Sequence, residues 1–194
     1  MSYLASTTEA PPSDDAAAMY ERDLARLGYV ANYTKAFAHR PDVMRAWEGL
    51  NGSIKAGMDL RRYELATLAA AERLRSIYCS LAHGKVLAEL DSPKVVRDLV
   101  VDRAAADVSP LDVAIMDLAE KVAGGAADIT ADDLRDVRTL GLTDAEILDV
   151  ILAAAARCFF STVLSAVGAE PDAFAELDAD LREALITATH SPTR

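Results

Sequence analysis

Apolar residues recur along most of the chain at spacings of three and four, which is the period of an α-helix with one buried face. No segment shows the strict alternation of apolar and polar residues that is typical of a half-buried strand. Residues that start helices precede several of the periodic segments. Ser109-Pro110 combines a serine cap with a proline in the first turn, and Thr143 with Glu146 forms a capping box. The pattern therefore predicts an all-α protein.

Start and stop signals divide the chain into a series of helices. Asp14 or Asp15 is expected to cap the first helix, and Gly28 is expected to end it. The other helices are predicted at 30–38, 42–54 and 60–90, from 93, at 110–123, from 131, and at 144–167 and 171–187. Because the 60–90 segment is long, we expect a break near residues 76–78.

The length of 194 residues suits one domain. Residues 1–13 are polar, contain proline and show no periodicity, so they are predicted to form a flexible tail or an arm on a neighbouring subunit. Residues 14–194 are predicted to form a single helical domain. Its segment 147–167 is apolar almost all round, and a helix without a polar face is buried inside the domain or at a subunit interface. We therefore expect a helical bundle with a long buried central helix and a homo-oligomer.

Composition and charge exclude several classes of function. The chain is 52% hydrophobic and carries a net charge of −11, which disfavours nucleic acid as a partner. Asp149 and Arg157 interrupt the longest apolar stretch, so no membrane span is expected. The two cysteines lie far apart, and no signal sequence precedes the domain. These features predict a cytoplasmic protein with reduced thiols.

Cys79 and His83 are the residues most suggestive of chemistry. Four residues apart on a helix, they lie on one face, where an imidazole can take the proton of a thiol. The alternative is a buried structural cysteine and a histidine that merely finds a partner. The spacing also leaves open which glutamate accompanies them. On an uninterrupted helix Glu72 would share the face of Cys79 and His83, whereas Glu64 can join them only if the chain turns. A metal site needs a further ligand that no other histidine is placed to supply, so neither metal nor cofactor is expected.

Four short motifs carry a family resemblance, namely NYTKAF at 32–37, RPDV at 40–43, RRYELA at 61–66 and YCSLAHG at 78–84. Together they resemble the carboxymuconolactone decarboxylase family, in its alkyl hydroperoxidase D (AhpD)-like, peroxidase-related branch. Weaker similarity continues to residue 172. The resemblance implies an AhpD-like helical bundle that assembles into trimers or hexamers.

The family's motif is C-x-x-C-x-x-x-H, with a glutamate fifteen residues before the second cysteine. Cys79 matches that second cysteine, His83 the histidine and Glu64 the glutamate, whereas Ser76 takes the first cysteine position and Tyr78 that of an additional histidine. The resemblance implies that Cys79 attacks a peroxide or disulfide while His83 and Glu64 relay protons. A serine cannot resolve a sulfenic acid as a disulfide.

The missing thiol means that turnover would need an external thiol reductant or Cys158. Because Cys158 lies in the most apolar helix, we interpret it as a packing residue. We also interpret Trp47 as a packing residue. Tyr78 either donates a hydrogen bond to a bound oxyanion or packs with its hydroxyl satisfied. The sequence thus favours a single-cysteine peroxidase acting on a hydroperoxide or other small molecule. Its alternatives are a lyase or isomerase for a small organic acid, with His83 or Glu64 as general acid or base, and a non-catalytic oligomer with a degenerate site.

Overall fold

The computed structural model describes residues 2–4 and 11–190, and within them it contains α-helices, one short 3₁₀ turn and no β-strand. The helices are α1 Asp14–Leu27, α2 Asn32–Phe37, α3 Pro41–Gly57, α4 Leu60–Arg73, α5 Ile77–Leu90, α6 Pro93–Val101, α7 Pro110–Gly125, α8 Ala131–Thr139, α9 Asp144–Ala166 and α10 Ala179–His190. The predicted all-α class is confirmed.

Capping residues start the helices largely where the sequence predicts. Ser109, Thr130 and Thr143 each close a capping box with the acid three residues later. The first helix differs, because Ser13 is its cap and accepts a hydrogen bond from the Ala16 amide, while the predicted aspartates lie in the first turn. Gly28, at a φ of 79°, ends that helix as predicted.

The predicted start of the last helix at residues 171–172 is wrong, since α10 begins only at Ala179. The carboxylate of Asp172 does not start α10; it accepts hydrogen bonds from the Asn32 amide, at the start of α2, and from the Tyr78 hydroxyl. Phe174 then adopts a φ of 44°, which no helix allows. Asp178 accepts a bond from the Leu181 amide and starts the helix in its place.

Helix α4 forms the centre of the core. Residues 63–71 are buried without interruption, because α5, α7 and α9 pack around this helix. Helix α5 packs in turn against α6 and α10. The chain leaves α4 through Arg75, whose φ of 57° is costly for a non-glycine residue, and the Arg75 side chain donates a hydrogen bond to the Thr189 carbonyl of α10. The predicted break thus lies at 74–76, slightly earlier than expected.

Gly84 allows α5 to approach α10 closely. A Cβ at this position would lie 2.5 Å from a methyl group of Leu185, whose side chain is itself fully buried. We expect Gly84→Ala to lower the free energy of unfolding by about 1–3 kcal/mol, because the core has to shift to make room. Chemical denaturation measures this change. Gly49→Ala is the matched control: it lies in α3 with open space around it, so it should leave stability unchanged or raise it slightly.

Helix α9 is the longest helix and has two different faces. Among the described helices, it alone is long and apolar enough to span a membrane, yet half of its most apolar part is buried inside the protein. One face packs on α4 and α7, which makes it a core helix. On the other face Leu148, Leu152 and Phe159 are exposed, so burial of this face at a subunit interface stays a prediction.

The start of the predicted tail contacts the end of α9. The Tyr3 amide donates a hydrogen bond of 2.8 Å to the Val167 carbonyl, and the Ser2 hydroxyl donates to the same oxygen. Residues 1 and 5–10 of that tail, and 191–194 at the other end, lie outside the described residues. A flexible 1–13 segment therefore stays a prediction.

Candidate active site

A cavity of about 470 Å³ opens between α1, α3, α5 and α9. This volume suits a small molecule. Cys79 lies in its wall and is only 1% exposed. Apolar and aromatic side chains form one part of the lining, namely Met19, Met44, Trp47, Tyr78 and Phe160, and charged side chains form another, namely Arg22, Asp23, Arg26, Glu48 and Arg157. The Trp47 and Phe160 rings stack with their centroids 4.2 Å apart, which agrees with the packing predicted for Trp47.

Cys79 lies in the first turn of α5. The first hydrogen bond within that helix runs from the Ser80 amide to the Ser76 carbonyl, and the Ser76 side chain caps none of the amides before it. The amides of the first turn thus carry the partial positive charge of a helix N-terminus. Such a position favours the thiolate form of a cysteine.

Arg157 contacts the Cys79 sulfur from α9. Its Nη1 lies 3.6 Å from Sγ, and its Nη2 lies 3.5 Å from the hydroxyl of Tyr63. The guanidinium also lies over the Trp47 and Phe160 rings, at 5.8 and 5.4 Å from their centroids. Only 4% of Arg157 is exposed, and no carboxylate of the described residues forms an ion pair with it.

The charge on Arg157 is therefore balanced by weak acids alone. Burial disfavours its charged form, but attraction to Cys79 and Tyr63 outweighs burial and raises the pKa of Arg157 above its usual value. A buried cation needs a compensating negative group. The two ionisable groups in contact with the guanidinium are the Tyr63 hydroxyl, at 3.5 Å, and the Cys79 sulfur, at 3.6 Å.

His83, one turn of α5 after Cys79, pairs with the buried carboxylate of Glu64. The His83 Nδ1 lies 2.6 Å from a carboxylate oxygen of Glu64 and 3.1 Å from the Thr67 hydroxyl. Lys55 approaches the other oxygen of Glu64 at 3.3 Å and is partly exposed to solvent. The His83 ring also meets the Tyr63 ring edge to face, so both the position and the orientation of the imidazole are fixed.

The two members of this pair differ in protonation. Burial and then the charge of Arg157 lower the pKa of His83 to about 4, although Glu64 opposes them. Burial raises the pKa of Glu64, but the contacts with His83 and Lys55 more than offset it and leave the pKa below its usual value. At neutral pH the carboxylate is thus charged and the imidazole neutral. With Nδ1–H donated to Glu64, Nε2 remains as a proton acceptor.

This lowered pKa predicts a pH-dependent stability. Unfolded His83 binds a proton below about pH 6.5, whereas the folded protein resists protonation until about pH 4. The contribution of His83 to the free energy of unfolding is thus fully present well above pH 6.5, and it is lost as the pH is lowered below that value. Between pH 6.5 and 5, we expect His83 to cost about 2 kcal/mol, at 1.36 kcal/mol for each pH unit. Urea denaturation at each pH measures it.

His83→Gln is the control for that experiment. Glutamine keeps a hydrogen-bond donor for Glu64 but does not titrate, so the loss between pH 6.5 and 5 should shrink by the same amount. Glu64 itself contributes a loss only below about pH 4.5, outside the chosen window. Parallel curves for the two proteins would show that folded His83 takes up its proton normally.

The break between α4 and α5 determines which glutamate meets His83. Because the chain reverses there, α4 packs beside α5 and carries Glu64, only 1% exposed, to the imidazole. Glu72 is on the far side of this arrangement, with its carboxylate 3.7 Å from Arg103. The structure therefore brings Cys79, His83 and Glu64 to one region and leaves Glu72 out.

The two positions where the chain departs from the family motif are both buried. The Tyr78 hydroxyl donates to Asp172, and burial followed by this bond raises the pKa of Tyr78. Because Tyr78 also lines the cavity, the oxyanion contact and the packing role both stay predictions for this residue. Ser76 is 2% exposed, and its hydroxyl has no hydrogen-bond partner among the described residues.

Cys158 follows Arg157 on α9 and is partly exposed. Burial raises the pKa of its thiol, which disfavours the reactive form. Within residues 2–4 and 11–190, no group of three or more His, Cys, Asp or Glu side chains could hold a metal ion.

Two residues of the site were not predicted as such. Arg157 gives a signal in the sequence, because a lone charge in an apolar helix needs a buried partner, but its neighbour Cys79 is 78 positions away. Tyr63 looks like an ordinary core residue, and only the structure reveals its contacts with Arg157 and Asn51.

Solved structures with the same fold are known. The chain is similar to the AhpD core of a peroxidase-related protein from Ralstonia eutropha JMP134, with a TM-score of 0.76 and 22% identity over 96% of this chain and 97% of that one. A peroxidase-related protein from Silicibacter sp. TM1040 gives a TM-score of 0.78 and 22% identity over 93% and 95% of the two chains.

A third similar structure is a cysteine-to-alanine variant of the debrominase Bmp8 in complex with 2,3,4-tribromopyrrole. It gives a TM-score of 0.73 and 13% identity, covering 97% of this chain and all of that one. No protein-family model and no curated protein matches the chain. These comparisons establish the AhpD-like helical fold that the sequence motifs predict.

Proposed function

We propose that the protein is a thiol-dependent peroxidase with Cys79 as its single reactive cysteine. The Cys79 thiolate attacks one oxygen of a hydroperoxide, so that an S–O bond forms and the O–O bond breaks. The other oxygen leaves with a proton as an alcohol or as water. Because the leaving oxygen takes the proton of the hydroperoxide itself, the sulfur product is a sulfenate, which a proton from solvent converts to a sulfenic acid. An external thiol reduces this sulfenic acid.

One observation carries this proposal: the buried guanidinium of Arg157 lies 3.6 Å from the Cys79 sulfur and has no carboxylate partner among the described residues. A positive charge at this distance favours the nucleophilic thiolate and also the charge that develops on the leaving oxygen. A structural cysteine in an apolar core would have no such neighbour.

His83 and Glu64 supply the proton transfers in this proposal. His83 follows Cys79 by one turn of α5, and its unprotonated Nε2 accepts a proton from the approaching hydroperoxide and returns it to the leaving oxygen. Glu64 holds the ring through Nδ1 and stabilises the imidazolium that forms during the transfer. Tyr63 acts as a positioning residue, because it holds Arg157 beside the sulfur.

Trapping of the sulfenic acid tests the proposal. The purified protein is treated with one equivalent of hydroperoxide in the presence of dimedone, and both cysteines are analysed by mass spectrometry. We expect rapid labelling of Cys79 and none of Cys158. Absence of label on Cys79 would contradict the peroxidase and leave the organic-acid lyase and the non-catalytic oligomer.

The cavity lining favours a second candidate, reductive dehalogenation of an aromatic ring. The debrominase of the same fold binds a brominated pyrrole, and here the stacked Trp47 and Phe160 offer an aromatic wall near Cys79. In this reaction the thiolate takes the halogen as a sulfenyl halide, the ring gains a proton, and an external thiol then releases halide ion. Release of bromide from bromopyrroles, measured by ion chromatography, distinguishes this activity from peroxide reduction.

A homo-oligomer, a trimer or hexamer as the family resemblance implies, is part of the proposal, with α9 at the subunit interface. Leu148, Leu152 and Phe159 form an exposed apolar stripe along this helix, and such a stripe is typical of an interface. We assign the assembly to the cytoplasm, where thiols remain reduced.

Leu148→Glu combined with Leu152→Glu is expected to convert the oligomer to monomers at micromolar concentration, because like charges would face each other across the interface. Light scattering measures the mass. The control is Leu50→Glu, an equally exposed leucine on α3. A wild-type monomer would contradict the proposed assembly.

A further inference from the structure

We infer that the thiol that reduces oxidised Cys79 is a small molecule bearing a negative charge, such as a carboxylate, and not the surface cysteine of a redox protein. This inference rests on the proposed peroxidase function and concerns its second half-reaction. Two observations carry it, namely the burial of Cys79 below the cavity and the charge left on Arg157 after oxidation.

Access limits the size of the reductant. To form a disulfide, the incoming sulfur has to reach about 2.05 Å from the Cys79 sulfur. Cys79 is only 1% exposed, and the cavity beside it holds about 470 Å³. That volume admits a small thiol as a whole. A cysteine on the surface of a folded protein would have to insert its own backbone through the cavity mouth.

Charge selects the kind of reductant. In the proposed reaction the attacking Cys79 thiolate faces Arg157 at 3.6 Å, whereas the sulfenic acid formed from it is neutral and leaves the guanidinium without a compensating charge. Because a buried, unpaired cation is unfavourable, the oxidised site attracts an anion. Arg22 and Arg26 also line the cavity, against the carboxylates of Asp23 and Glu48. The cavity is therefore positive, by three arginines to two acids, in a chain with a net charge of −11.

The neighbouring acids do not cancel this effect. Asp23 forms an ion pair with Arg26 at 3.6 Å and accepts hydrogen bonds from the Ala31 amide and the Thr34 hydroxyl. Glu48 pairs with Arg22 at 3.4 Å, so each acid is matched by an arginine of its own. Arg157 alone faces the reacting sulfur. Besides Cys79, the Tyr63 hydroxyl contacts Arg157. His83, which also lies near Arg157, is neutral, and its partner Glu64 is held by His83 and Lys55.

Reduction of the Cys79 sulfenic acid then takes two steps. The thiolate of the reductant attacks the sulfenic sulfur of Cys79, so that an S–S bond forms and the S–O bond breaks. The hydroxyl takes a proton from solvent and leaves as water. A second thiolate attacks the reductant's sulfur in this mixed disulfide. The products are a low-molecular-weight disulfide and the Cys79 thiolate, which again faces Arg157.

Three thiols of similar size and different charge test the inference. Protein oxidised with one equivalent of hydroperoxide is mixed with 3-mercaptopropionate, 2-mercaptoethanol or cysteamine, and the remaining sulfenic acid is read by dimedone labelling over time. Rates are compared at equal thiolate concentration. We expect 3-mercaptopropionate to react at least about tenfold faster than 2-mercaptoethanol and cysteamine to be slowest, with the differences shrinking as salt screens the charges.

Two variants locate the origin of the preference. Arg157→Met is oxidised with excess hydroperoxide until separate samples reach full dimedone labelling. The unlabelled remainder should then react with the three thiols at rates within about threefold of one another. Arg138→Met is the control, because Arg138 pairs with Asp144 on the surface and does not line the cavity. That variant should keep the wild-type preference.

The outcomes separate the two proposals. Equal rates for the three thiols, or equally fast reduction by a thioredoxin-type protein dithiol, would overturn this inference while the peroxidase function stands. Failure of Cys79 to form a sulfenic acid at all would overturn the peroxidase and the inference together.

Discussion

Cys79→Ser is expected to lower peroxide consumption at least about a thousandfold, the largest effect predicted for any single substitution in this protein. A serine hydroxyl stays protonated at neutral pH and cannot accept the oxygen as a sulfenic acid. The replacement is small and polar like the cysteine, so the fold should persist. Stopped-flow or electrode measurements of hydroperoxide loss, with reductant present, give the rate.

Cys158→Ser is the matched control, because it removes the only other thiol from a helix that borders the same cavity. Its rate should remain within about twofold of the wild type. Normal turnover by Cys79→Ser would refute the peroxidase. Survival of some other activity in Cys79→Ala, together with its loss in His83→Ala, would favour acid–base chemistry on a small organic acid.

Arg157→Met is expected to slow both alkylation and oxidation of Cys79 by about a hundredfold at pH 7. A unit charge 3.6 Å from the sulfur contributes about 4.6 kcal/mol at an effective dielectric constant of about 20, and the lost desolvation cost recovers part of that. A hundredfold corresponds to about 2.7 kcal/mol. Methionine keeps the apolar stem of arginine, so the packing on Trp47 and Phe160 is largely retained.

The pH dependence of iodoacetamide alkylation identifies the cause. If Arg157 stabilises the thiolate, the variant regains the wild-type rate at high pH, where every thiol is ionised. A lower rate at all pH values would instead mean that the substitution blocks the cavity. Arg22→Met, at the exposed rim, is expected to change alkylation by the uncharged iodoacetamide less than threefold.

The parts of the fold that depend on local chemistry could be predicted from the sequence. Capping boxes at Ser109 and Thr143 satisfy amides within three residues, so their signals need no knowledge of the rest of the chain. The choice of Glu64 over Glu72 was harder. It required the chain to reverse at Arg75, a residue that the sequence does not mark as a turn, and the family motif supplied what spacing alone left open.

The remaining features depend on contacts between distant positions. Pro171-Asp172 has the composition of a helix start, but Asp172 binds Asn32 and Tyr78, which lie on helices 94 or more residues earlier. Because its carboxylate is used in these two bonds, Asp172 does not start a helix at this position. The approach of Arg157 to Cys79 is of the same kind, because it results from the packing of α9 against the core and leaves no periodic trace near either residue.

Helix α9 holds Arg157 on its buried face and Leu148, Leu152 and Phe159 on its exposed face. A single helix therefore connects the proposed subunit contact to Arg157, the group proposed to activate the cysteine. Any displacement of this helix on dissociation would move the guanidinium relative to the sulfur. The proposed peroxidase activity per protein molecule should then decline on dilution, so that it is highest when the protein is abundant.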